Sequence, residues 1–320
     1  MVHDRSHTTE AAGPPPLTGL FSAAVTPRTA AGAVDEDAFD RVLDLLLTAG
    51  VDGVCLGGAT AEFPHATRDE RIRLIDRAAT RLDGKALLVG IGAAAPSDVV
   101  PLGRAAFDAG ATVVLLSMPV FFRYAQEDLL AFCLDTAANL PGPVLLYDLP
   151  TFTTPLATET ILQLLGDAPT NVVGIKDSSG QPDRLPQLAH ARGSRPWRLL
   201  VGDDGLLVDA MAHGWDGCIS GTSGAFPELM LATTRAARSG DQGVLSSLQP
   251  LLRELFAQAG VFPTPWAIRV ALEARGLPTG PLPLALSPGR RAQRDAFMQW
   301  VPGWLGRVEA ALGHGLVGVR

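Results

Sequence analysis

Several shortages in the sequence each exclude a class of protein. There are three cysteines in 320 residues, Cys55, Cys133 and Cys218, far apart and in apolar surroundings. An odd, sparse count argues against a disulfide frame or a zinc site and for a reducing, cytoplasmic location. No run of about 18 uninterrupted apolar residues occurs, so no segment reads as a membrane-spanning helix. The formal net charge is −7, and no Lys/Arg run is long enough to track a phosphate backbone, which sets nucleic acid aside. Residues 1–16, MVHDRSHTTEAAGPPP, lack the apolar stretch of a secretory signal and read as a disordered leader. No carboxylates and histidines fall at metal-ligand spacing, so no metal is expected.

What is present is apolar material in short, regular pieces. Hydrophobic residues make up 47% of the chain and charged ones 18%, enough for one α/β barrel or two ordinary domains. From Leu20 onward eight apolar runs recur: LFSAAVTP, DGVCLGG, ALLVGIG, TVVLLSMP, PVLLYDLP, NVVGIKD, WRLLVGDD and DGCISGT. Between them lie helix signals. Phe39, Val42, Leu43, Leu46 and Leu47 share a helical face, closed by Gly50. Thr67 and Glu70 form a capping-box pattern, and Ser97 stands as an N-cap ahead of a helix closed by Gly110.

Strict alternation of strand and helix implies a parallel sheet with right-handed crossovers. Eight units in roughly 220 residues fit an α/β fold of the (β/α)8 TIM barrel type better than an open doubly wound sheet. The first strand also lacks the Gly-x-Gly-x-x-Gly turn of a dinucleotide-binding fold. Beyond about Ser239 the rhythm gives way to helices, the last interrupted at Pro302. The expected organisation is therefore a barrel over 17–238 and a C-terminal helical extension over 239–320.

Active sites of such barrels lie at the C-terminal strand ends. There the sixth run, NVVGIKDSSG, ends on Lys176, the fifth on Tyr147, and Thr60 and Glu62 follow the second. Alternation places Val172, Gly174 and Lys176 on one face of strand six, and Leu145 with Tyr147 on strand five. If the bulkier rows face the outer helices, Lys176 and Tyr147 both point into the barrel mouth, Gly174 leaving room for the lysine stem. A partly desolvated lysine is a nucleophilic amine near neutral pH, suited to imine formation with a ketone. The plainer alternatives are a lysine snorkelling to solvent, a core tyrosine, a turn threonine, and a glutamate that holds its loop by accepting backbone hydrogen bonds. His65, just beyond that loop, reads as a solvated loop histidine rather than a mouth residue.

These stretches together resemble the dihydrodipicolinate synthase/N-acetylneuraminate lyase family of class I aldolases. GIKDSSG resembles its Schiff-base lysine motif, LLYDLPTFTTP its Tyr-Asn-x-Pro stretch, and GGATAEFPHATRDER its Gly-Thr-Thr-Gly-Glu loop, in order from about Gly19 to Pro288. The resemblance implies an imine between Lys176 and pyruvate or another small 2-oxo acid, with Tyr147 relaying protons. It implies that Gly58, Ala59 and Thr60 hold the substrate carboxylate and that Ile219 and Ser220 flank the imine by backbone contact. It also implies no cofactor, and a homotetramer built as a dimer of dimers.

Some positions depart from the family pattern. Ala59 and Ala61 stand for a loop hydroxyl and a glycine. Val120 and Phe121 replace two tyrosines, the second of which reaches a neighbouring subunit. Phe152 replaces the arginine that holds a distal carboxylate in dihydrodipicolinate synthases, and a phenyl ring cannot pair with a carboxylate. Phe121 and Phe152 would then line an apolar distal pocket. AEFP after the glycine-rich loop, LPTFT and the TPWAIRVALEARG helix look more like family members that act on 2-keto-3-deoxy sugar acids, so the resemblance implies cleavage or formation of such an acid. A dehydratase or hydratase–aldolase, a 4-hydroxy-2-oxoglutarate aldolase, dihydrodipicolinate synthesis, and a weakly catalytic 2-oxo-acid-binding protein are the alternatives.

Overall fold

The apolar runs become eight parallel strands that close on themselves in sequence order. The computed structural model describes residues 17–166 and 171–318; the leader expected over 1–16 lies outside them. The strands are β1 (Gly19–Ala23), β2 (Gly53–Leu56), β3 (Ala86–Gly90), β4 (Val113–Ser117), β5 (Val144–Asp148), β6 (Val172–Asp177), β7 (Arg198–Val201) and β8 (Gly217–Ser220). The helices that follow them in turn are α1 (Glu36–Ala49), α2 (Arg68–Ala79), α3 (Val99–Asp108), α4 (Gln126–Ala138), α5 (Thr158–Gly166), α6 (Arg184–Arg192), α7 (Leu207–Ala212) and α8 (Pro227–Ser239). Helices α9 (Gln242–Ala259), α10 (Trp266–Ala274) and α11 (Pro288–Leu312) complete the chain. This is a (β/α)8 barrel followed by a C-terminal helical region. No helix among the described residues is long and apolar enough to cross a membrane.

Local chemistry explains the helix ends. Asp35 caps α1, and Gly50 closes it in the left-handed conformation that a β-carbon disfavours. Thr67 and Glu70 form the reciprocal capping box of α2. Ser97 does not cap α3: it lies in a 3₁₀ turn, Pro96–Asp98, and no side chain caps that helix. Nor does Pro302 interrupt α11, which runs through it. The proline is exposed while Phe297, Val301 and Trp304 are buried, so any bend is convex toward solvent and leaves the packed face intact.

Two apolar layers result. Inside the barrel, Phe21, Cys55, Leu88, Leu115, Leu145, Tyr147, Leu200 and Ile219 pack together; outside, Val54, Val89, Leu146 and Ile175 meet the helices. Alternation fails at one place. Val172 joins the outer layer and Val173 the inner one, because the β5–β6 register slips between Val144 and Leu145. A bulge there adds one residue to β6 and reverses the facing expected for Val172. Above it the register recovers, and Tyr147 stands directly across from Lys176.

Candidate active site

The C-terminal ends of β5 and β6 bring the two expected reactive groups together. Lys176 Nζ lies 4.2 Å above the centroid of the Tyr147 ring, and both residues are buried at the floor of a cavity of about 360 Å³. Room for the lysine stem comes from Gly202, just past β7, whose missing side chain leaves space beside Lys176. It does not come from Gly174, where a β-carbon would meet the Arg198 backbone. Burial alone would depress the Lys176 ammonium. Tyr147, Cys55 and Cys218 favour it, and the balance lies above the ordinary lysine value. The sequence expectation of an amine poised near neutral pH counted only the burial. Burial also pushes up the thiols of Cys55 and Cys218.

One residue beyond each, the side chain turns outward. Asp148 and Asp177 also pair across the strands, and both face the buried Arg184, at 2.5 Å and 3.7 Å. Asp148 also accepts from Leu156 N at 3.0 Å, and Asp177 from Ser179 N at 2.7 Å. Asp177 therefore does not neutralise Lys176. A single guanidinium ties together the outer sides of the two strands whose inner sides carry the amine and the phenol. Sequence reading missed this group; its signal is an acid directly after each reactive residue.

The remaining candidates divide. Ala59, Thr60, Phe152 and Ile219 line the cavity with Tyr147 and Lys176. Thr60 lies beside Gly221, where a β-carbon would come within 3.2 Å of its hydroxyl. Gly58 sits behind them and accepts from Ala61 N at 3.2 Å. Ser220 is fully buried, and its hydroxyl accepts from Ser223 N at 3.0 Å, so its side chain is spent on the turn after β8. Phe121 is set apart in an adjoining apolar basin of about 670 Å³, with Val120, Phe152 and Leu284. His65 lines that basin too, its Nδ1 3.8 Å from Glu62. Among the described residues no backbone N–H donates to the Glu62 carboxylate; it pairs with Arg269 at 2.9 Å.

Three features were not expected. Asp203, Asp204 and Ser178 form a polar wall beside Lys176. Burial raises the Asp204 carboxyl, although the hydroxyls and N–H around it favour the charged form. The C-terminal region supplies the opposite wall through Phe256, Phe262, Pro263 and Ile268, so it is part of the mouth rather than an appendage. Lys176 is also the sole Lys or Arg among the residues lining the two cavities.

A (β/α)8 barrel with a buried lysine and tyrosine paired at its mouth defines a carbon–carbon lyase of the Schiff-base class. The chain belongs to the dihydrodipicolinate synthetase family, whose model matches residues 16–301. It is 34% identical over 287 residues to a 4-hydroxy-tetrahydrodipicolinate synthase of Sorangium cellulosum (strain So ce56), covering 89% of this chain and 95% of that one. A synthase of the same name from Phenylobacterium zucineum (strain HLK1) is 33% identical, covering 88% and 95%. Among solved structures, the 4-hydroxy-tetrahydrodipicolinate synthase of Methylacidiphilum fumariolicum SolV superposes with a TM-score of 0.83 at 28% identity, covering 92% and 99%. The prophage protein YagE of E. coli K12, solved in complex with pyruvate, superposes with a TM-score of 0.81 at 26% identity, covering 89% and 99%.

Proposed function

We propose that this chain makes and breaks a carbon–carbon bond between pyruvate, or a related 2-oxo acid, and an aldehyde, through an imine on Lys176. The observation that carries this reading is the buried amine 4.2 Å above Tyr147 at the floor of an open cavity. The amine adds to the ketone carbon and water leaves, giving an iminium. Loss of a C3 proton yields an enamine, whose C3 bonds to the aldehyde carbon while Tyr147 supplies the proton taken up by the new alkoxide. Hydrolysis of the imine frees the lysine, and cleavage runs the same steps backward. Ala59 and Thr60 hold the carboxylate of the 2-oxo acid, and Ile219 flanks the imine. Borohydride reduction with pyruvate, followed by mass spectrometry, should place the adduct on Lys176. Only two lysines, Lys85 and Lys176, occur in the chain, so the assignment is simple. No adduct with any of several 2-oxo acids defeats the reading.

The acceptor divides the finer readings. The names of the relatives make 4-hydroxy-tetrahydrodipicolinate synthesis the first reaction to assay, ahead of the sugar-acid chemistry that the sequence alone favoured. One observation supports the second reading: Phe152 stands in the cavity with Asp203 and Asp204 and no arginine. That wall suits hydroxyl groups better than a second carboxylate. Formation of 4-hydroxy-tetrahydrodipicolinate supports the synthase. Pyruvate release from 2-keto-3-deoxy sugar acids supports the aldolase, and a keto product formed with loss of water supports a dehydratase. We further propose a homotetramer, supported by the exposed apolar pair Phe121 and Phe122.

A further inference from the structure

The turn after β2 is held from far away in the sequence. Within it, Ala61 N donates to Gly58 O and Glu62 N to Ala59 O, at 3.2 Å and 2.9 Å. The N–H groups of Ala59 and Thr60 bond to no acceptor among the described residues. This geometry requires Glu62, a residue with a β-carbon, to adopt the left-handed conformation, φ 51° and ψ 44°. Such a conformation is unfavourable for a non-glycine residue and persists only where its surroundings fix it.

Arg269 of α10 provides that fixing. It is buried, 2% exposed, and its Nη1 donates to Glu62 Oε2 at 2.9 Å. Its Nε donates to the Thr279 hydroxyl at 3.3 Å. Its Nη2 reaches the carbonyls of Thr279, Gly280 and Pro281 at 3.0, 3.2 and 2.7 Å. One planar cation thus joins three chain segments, and among the described residues its only carboxylate partner is Glu62. The segment it anchors carries Pro283 and Leu284 to the rim of the apolar basin.

We propose that Arg269 is a positioning residue for the 2-oxo acid: through Glu62 it locks the turn so that the Ala59 and Thr60 N–H groups converge on the substrate carboxylate. Arg269 does not line the Lys176 cavity, so its effect is indirect. The inference rests on the reading that this turn binds that carboxylate.

The test uses the full chain and imine trapping, which needs no aldehyde. Borohydride trapping is titrated with pyruvate and, separately, with hydroxyacetone, a ketone without a carboxylate. Arg269→Met should raise the half-saturating pyruvate concentration by about tenfold or more, on the scale of losing a charged hydrogen bond. Arg269→Lys and Glu62→Gln should give intermediate increases. Trapping at saturating pyruvate, and trapping with hydroxyacetone at any concentration, should change by less than about threefold. A purely structural role would impair both ketones alike, and that result overturns the proposal. So does an unchanged half-saturation for pyruvate. If Arg269→Met does not fold, Arg269→Lys and Glu62→Gln decide by the same criteria. Ala59→Pro, which removes one of the two converging N–H donors at the second position of the Gly58–Ala61 turn, where proline is tolerated, separates the two levels. If it leaves pyruvate half-saturation unchanged, the carboxylate reading of the turn fails. If it raises that value while the Arg269 and Glu62 variants do not, only the positioning role fails.

Discussion

A β-carbon on Gly202 would lie 2.7 Å from Cε of Lys176. The two residues sit at neighbouring strand ends, and the lysine stem occupies the space that any other residue at 202 would claim. Real β-carbons do not approach another carbon so closely, so Gly202→Ala must displace the stem together with the Ser178 hydroxyl, which it meets more closely still. Imine trapping with pyruvate should fall by at least about tenfold, with the circular dichroism spectrum unchanged. Wild-type trapping in the variant would show that the stem has another path.

Tyr147→Phe keeps the ring beneath the amine and removes the hydroxyl. Turnover should fall by about 10²-fold or more, the scale of losing a positioned acid–base group. Trapping of pyruvate at Lys176 should survive. A kinetically silent variant would transfer the proton-relay role to another group.

The pH dependence follows from the sign of the Lys176 shift. Its ammonium is favoured over that of an ordinary lysine, so the neutral amine is the minor form near pH 7. The initial rate of imine formation at saturating pyruvate should climb between pH 6 and pH 8, by up to about tenfold per unit. A profile already flat at pH 6 would place the amine far lower.

Arg184→Met leaves two buried carboxylates facing one another's field. Removing one partner of a buried ion pair costs about 3–5 kcal/mol. Burial already raises the Asp148 carboxyl, and Arg184 pulls it back down. Without that pull the folded-state value rises further above the unfolded one, so the folded form binds protons more readily. The deficit should be largest at neutral pH and shrink as pH falls through the folded-state value. Denaturant melts at pH 5 and pH 8 measure this, and equal deficits would contradict it.

Phe121 is 90% exposed and has φ 78°, and Phe122 beside it is 64% exposed. The loop is tied to its own barrel at Val120 and Tyr124, but these two rings do not fold back onto it. Two adjacent exposed rings suit a contact between subunits. Light scattering at micromolar concentration should show a tetramer for the wild type and smaller species for Phe121→Asp. A wild-type monomer removes the subunit contact.

The barrel was legible because buried parallel strands read as bare apolar runs, and a glycine closes α1 as the pattern required. Lys176 and Tyr147 were legible because packing alone seldom places a cation and a phenol at the ends of such runs. The bulge at Val173 was not, since valine suits either face of the sheet. Arg184 and Arg269 were hidden for another reason: each meets its acid 36 or 207 residues away, and local periodicity carries no record of such pairs. The same holds for Phe256, whose helix pattern shows an apolar face but not which neighbour covers it, and for Phe262 in the loop beyond that helix. One overlooked signal was simple. The chain uses arginine almost everywhere and lysine twice; Lys85 donates to the Val51 carbonyl, which leaves Lys176 as the lysine at the mouth.

Barrel closure sets an order on the birth of the site. The first strand meets the last, and Ser22 and Ser223, 201 positions apart, join through their hydroxyls at 2.8 Å. Until the ribosome has released β8, β1 and the latest strand to form are unpaired borders able to recruit another chain. The Gly58–Glu62 turn follows β2, the amine ends β6, Ile219 comes from β8 and the outer wall from α9 and the start of α10. A nascent chain therefore carries its lysine for about ninety residues of synthesis before Ile268 completes the wall of the cavity, and the finished mouth arrives only with the C-terminal helices.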